Sequence, residues 1–120
     1  MHKWELVRLP SFEADLEQYQ IDEAKLNKWL EDFEKAPNRI KNAHPLKGVL
    51  KPLWSAHFNE KKTYIVIYLL CDGNEASCFS RYKLSQFSYI PFEIITEHKC
   101  NKDSRKVLLC RCDIHDYRRI

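Results

Sequence analysis

Glycine is nearly missing from this chain, at 2 of 120 residues. Such scarcity of the residue that tolerates left-handed backbone excludes a flexible linker or a repetitive fibre. No internal repeat and no low-complexity tract is present. Long hydrophobic runs are missing too: the longest, Tyr64 to Cys71, falls far short of the roughly 20 apolar residues of a membrane helix. The opening MHKWELVRLP lacks the apolar centre of a secretory signal, so export is not expected. Five cysteines form an odd set without framework spacing and read as reduced thiols. The expectation is a soluble, cytoplasmic protein with residues 1–120 as one domain and an ordinary hydrophobic fraction of 44%.

Charge is present but unevenly placed. The net charge is +3, yet residues 1–36 carry 5 Lys/Arg against 9 Asp/Glu, whereas residues 37–120 carry 15 against 8. The asymmetry fits a face for a polyanion, and equally fits solvated helices that are acidic.

Local patterns divide the chain. Lys3 to Leu9 reads as a strand closed by Pro10, followed by a short helix with Ser11 as N-cap and Phe12, Leu16 and Tyr19 as its apolar stripe. Asp22 caps a second helix, with Ile21 as hydrophobic staple and Leu26, Trp29, Leu30 and Phe33 on one face until Pro37 stops it. Leu50 to Phe58 predicts a strand, with Pro52 marking an edge or irregular start. TYIVIYLLC, Thr63 to Cys71, predicts a central strand covered on both faces. Asp72-Gly73-Asn74 predicts a hairpin turn, with Glu75 to Ser80 returning. Phe92 to Lys99 and Arg105 to Asp113 predict a further strand pair. The fold class expected is α+β: an N-terminal strand, two helices, then a mostly antiparallel twisted sheet.

In that order stand His44-Pro45-Leu46-Lys47-Gly48, then Ala56-His57-Phe58, Ile67-Tyr68 and Asp113-Ile114-His115-Asp116. A strand, two acidic helices, an HPLKG segment, a strand with a second histidine, a strand carrying I-Y and a late third histidine resemble the RelE/ParE toxin superfamily. Within it the chain is most similar to the YafQ-like mRNA interferases of bacterial toxin-antitoxin systems. The resemblance covers residues 1–72 and 105–117 and leaves 73–104 as an insertion before the last strand. It departs from the family where Thr63-Tyr64 stand in place of an acid followed by an aromatic, so that the acid is lost, where Asp113 replaces a glycine, and where Arg119 replaces an aromatic.

The resemblance implies an endoribonuclease toxin that cuts mRNA in the ribosomal A site and is silenced by a cognate antitoxin. RNA carries its own nucleophile, the 2′-hydroxyl, so no metal or cofactor is expected. The protein must supply a base, an acid and cations at the phosphate. Histidine suits both proton roles. His57 and His115 are the expected proton-transfer pair, with His44 assisting. Lys47, Lys51, Lys61, Lys62, Arg118 and Arg119 are candidates for the RNA backbone, and Tyr64 or Tyr117 for stacking on a base. The competing readings are a ParE-like toxin that binds DNA gyrase without catalysis, and an interaction module built on the aromatic insertion.

Cys71, Cys78, His98 and Cys100 can be written as a zinc set, and Cys110-x-Cys112 as another. Neither has the paired C-x₂-C spacing of zinc knuckles, so no metal is expected. Cys110 and Cys112, with Leu108, are expected on one face of the last strand.

Overall fold

The computed structural model describes residues 3–48, 51–59, 63–74, 78–79 and 100–114. Strand β1 is Glu5–Arg8, and helix α1, Pro10–Gln18, follows at once. Pro10 takes the first helical position, where its missing N–H costs nothing, so Leu9 and not Ser11 is the N-cap. The Ser11 hydroxyl instead donates to the Cys110 carbonyl at 2.6 Å, a bond across the fold that local pattern does not reveal.

Helix α2, Glu23–Lys35, forms as its sequence predicts. The Asp22 carboxylate accepts from the Ala24 and Lys25 N–H groups, and Leu26, Leu30 and Phe33 are buried. Trp29 is half-buried, with its ring 4.7 Å from Phe33 and 5.1 Å from Phe58. Pro37 ends the helix and opens a single 3₁₀ turn, Pro37–Arg39.

The remaining strands are β2, His44–Pro45; β3, Trp54–Asn59; β4, Thr63–Cys71; and β5, Lys106–Ile114. They join β1 in a mixed sheet of order β1-β5-β4-β3-β2. β1 runs parallel to β5, and the pairings β5-β4, β4-β3 and β3-β2 are antiparallel. The architecture is α+β. The strand expected from Leu50 starts later, at Trp54, after a cis Lys51-Pro52 bond. Gly73 (φ +89°) turns the chain after β4, and a Cβ there would meet the Lys102 carbonyl oxygen at 2.7 Å, so only glycine fits. Of the returning strand expected over 75–80, the described Cys78 and Phe79 belong to no strand. Phe92 to Lys99 and most of the 73–104 insertion lie outside the described residues. No helix among the described residues is long and apolar enough to cross a membrane.

β4 is covered on both sides. Tyr64, Val66 and Tyr68 join Phe12, Leu16, Leu26, Leu30 and Phe33 in a core beneath the helices. Ile65, Ile67, Leu69 and Cys71 face the other way, with Leu46, Leu53, Leu108 and Phe79. The Tyr68 hydroxyl, buried with its ring, donates to the Pro37 carbonyl at 3.0 Å.

The last strand corrects one expectation. Ile67 pairs with Arg111 but Tyr68 pairs with Leu109, so Cys110 is the extra residue of a β-bulge. The bulge breaks the alternation: Cys110 joins Leu108 on one face, and Cys112 enters the core beneath the helices. Burial pushes both thiols up to about 12. A thiol held protonated in the folded state stabilises it fully below the unfolded thiol pKa and loses that contribution as pH rises towards 12. Stability is therefore expected to fall between about pH 9 and 12, by up to about 1.4 kcal/mol per pH unit for each thiol. Urea unfolding of wild type and Cys110→Ala across that range checks this; equal slopes for both would refute it.

Candidate functional site

Pairing register brings two of the three expected histidines together. His44 on β2 stands opposite Ser55 on β3, and paired residues of antiparallel strands project from the same side of the sheet. His57, two residues beyond Ser55, therefore shares that side and is the diagonal neighbour of His44. Such neighbours lie about 7 Å apart. The face is the one that carries Ile65 and Ile67, opposite the helices, since His57 pairs with Ile65 and Ser55 with Ile67.

The two imidazoles differ in setting. His44 is exposed on a strand two residues long. His57 is half-buried on β3, with its Nε2 withdrawn from solvent. A phosphate reaches that nitrogen only after the ring turns outward.

The row His57–Ile65–Asp113 runs across β3, β4 and β5. Asp113 is buried where the resembled family has glycine. It accepts a hydrogen bond from the Tyr19 hydroxyl and one from the Ile114 N–H at 2.8 Å. The carboxylate is thus committed to holding the end of β5 against the turn after α1. His115 follows Asp113 by two positions, and it lies outside the described residues, as do Lys61, Lys62, Tyr117, Arg118 and Arg119.

Tyr64 corrects the expectation of a base-stacking platform. It is 4% exposed, in the core beneath the helices, with its ring 5.5 Å from that of Tyr19. A ring packed there presents no open face to a base. The reason is parity: on β4, position 64 points to the helices and position 65 to the histidine side.

Lys47 and Lys51 are exposed, but they line a different hollow from His57. Their groove, about 670 Å³, is formed with Trp4, Trp54 and Leu70. Trp54 lies there in a stacked arrangement with Tyr68, centroids 6.2 Å apart, so one of its faces is already packed. A separate recess of about 630 Å³ beside α2 is lined by Lys25, Lys28 and Lys41 with Glu31 and Asp32, and it borders β3 at His57, Phe58 and Asn59, although the His57 side chain belongs to the face opposite the helices. These lysines escape a sequence reading because they sit in, or beside, the acidic half of the chain. Their one local signal is the i, i+3 spacing of Lys25 and Lys28, which places both on one side of α2.

The structure also gathers Cys71, Cys78 and Cys100, three residues of the set that spacing alone made unconvincing. No family model, curated protein or solved structure matches the chain.

Proposed function

We propose that the protein is the toxin of a toxin-antitoxin pair, a RelE-like endoribonuclease that cuts mRNA, with the ribosomal A site as its place of action. The observation that supports this reading is the register that sets His44 and His57 as diagonal neighbours on one face of the sheet. The element order, with its strand, two helices and β2 to β5, is compatible with that family.

In the proposed reaction a histidine base takes the proton of the 2′-hydroxyl. The freed O2′ attacks phosphorus, the bond from phosphorus to O5′ breaks, and a histidine acid protonates O5′. The products are a 2′,3′-cyclic phosphate and a 5′-hydroxyl end. His57 and His115 exchange the protons, and His44 holds the phosphate from the neighbouring strand. An antitoxin silences the site through acidic segments laid over the basic half of the chain.

The test is induced expression of the wild type, followed by mapping of new RNA ends in cellular mRNA. Cuts bearing cyclic phosphate and 5′-hydroxyl ends, absent with His115→Ala, are the expected result. Growth arrest without cleavage, unchanged by His115→Ala, would instead favour the gyrase-binding reading.

A further inference from the structure

Three thiols distant in sequence converge at the end of β4. Cys71 is the last residue of that strand, Cys78 follows seven positions later, and Cys100 precedes the turn into β5. The Cys71 sulfur lies 3.5 Å from that of Cys100 and 3.6 Å from that of Cys78, and all three lie within 4.8 Å of one another. Zinc bound tetrahedrally at about 2.3 Å requires thiolate sulfurs about 3.8 Å apart. The observed triangle needs only a small adjustment to hold such an ion. A disulfide would need sulfurs at about 2.05 Å, and all three cysteines are free thiols.

The surroundings are those of a ligand set. The Gly73 backbone, turned by its positive φ, hydrogen-bonds to the Cys71 sulfur, an interaction that favours the thiolate. Arg105 donates to the Asp72 carbonyl, next in chain to Cys71, and so places a cation beside a site that three thiolates would leave net negative. The turn before β5 is fixed by its own bonds: Asn101 Oδ1 accepts from the Asp103 N–H at 2.9 Å and Ser104 Oγ from the Asn101 N–H at 3.2 Å. This holds Cys100 in place. Cys71 and Cys78 are fully buried while Cys100 is partly exposed, so an ion has a way in.

We propose that Cys71, Cys78 and Cys100 form a thiolate zinc site that ties both ends of the segment 80–99 to the end of β4. Each thiol that ligates gives its proton to solvent, and no electron is transferred. The ion would cross-link positions 71, 78 and 100 on the side of the sheet away from the helices, with its fourth tetrahedral position left to a ligand other than these three thiolates. This inference stands apart from the proposed nuclease, whose described histidines, His44 and His57, are on other strands.

The test begins with the full chain purified without chelator, its metal content measured by mass spectrometry. About one zinc ion per chain is expected, retained in Cys110→Ala. Cys71→Ser and Cys100→Ser are expected to lose zinc affinity on the order of 100-fold, measured by chelator competition. Because a serine variant can fail to fold, wild-type chain grown with cobalt in place of zinc supplies a second readout. Tetrahedral ligand-field bands and thiolate-to-cobalt charge transfer are expected, the latter weakened in Cys78→Ser. A folded wild-type chain with neither stoichiometric zinc nor thiolate–cobalt absorption would overturn the proposal. So would a Cys71 disulfide in a non-reducing digest, or zinc retained in all three serine variants.

Discussion

His57→Ala is expected to slow mRNA cleavage by about 10²–10⁴-fold, the range for loss of one positioned proton-transfer group. The substitution removes an imidazole that is half-buried on β3 and leaves the strand's pairings with β2 and β4 intact. Backbone pairing does not depend on that side chain, so circular dichroism and the unfolding midpoint should change little. His44→Ala is expected to cost less, since the proposed reaction gives its exposed ring the phosphate and gives the proton to His57 and His115. If the two rings serve one phosphodiester, the double variant will lose less than the product of the single losses, because neighbours around one reacting group are not independent. Single-turnover cleavage of a short RNA measures all of this. A His57→Ala protein that cuts at the wild-type rate would end the assignment, and strict multiplication of the two losses would separate the rings into unrelated roles.

Asp15→Ala should be among the most destabilising single changes, at about 3 kcal/mol. Asp15 is buried on α1, and its carboxylate accepts from Arg111 Nε at 2.7 Å, from a second Arg111 guanidinium nitrogen at 3.0 Å, and from the Cys112 N–H at 3.0 Å. One side chain thus pins α1 to the strand just past the Cys110 bulge and satisfies the Cys112 backbone N–H. Truncation strands that N–H and removes two hydrogen bonds from the guanidinium. The Arg111 side chain keeps about a quarter of its surface exposed, which holds the penalty at the low end of the range for broken buried pairs. Asp15→Asn keeps an acceptor for one donor and should lose roughly half as much. Denaturant unfolding with an unchanged slope and a lowered midpoint is the expected record. A midpoint shift worth less than about 0.5 kcal/mol would mean that water replaces the carboxylate without cost.

Much of the framework was legible because its causes are local. The α2 stripe, the Asp22 cap and the Pro37 stop lie within one short segment, and each acts through neighbours three or four residues away. β4 was legible for a similar reason: a β-branched and aromatic run of strand length has few other stable uses. β2 was not, since two residues make a strand only when a partner is alongside. Nor was the parallel seat of β1 against β5, a pairing between segments about a hundred residues apart.

The site divides along the same line. Sequence alone supplied the residue types: three histidines in a given order, lysines around them, and cysteines with no persuasive spacing. It could not say that Tyr64 turns inward, because a strand apolar on both faces carries no alternation to reveal its parity. Register decided that His44 and His57 share a face and that Lys47 and Lys51 open onto another hollow. The bulge at Cys110 decided that two cysteines two apart lie on opposite sides. Chain reversal at Gly73 and at the 101–104 turn decided that three sulfurs meet. Propensity and capping are summed over near neighbours and can be read along the chain. Register and convergence depend on contacts between distant segments, and these exist only once the whole sheet has formed.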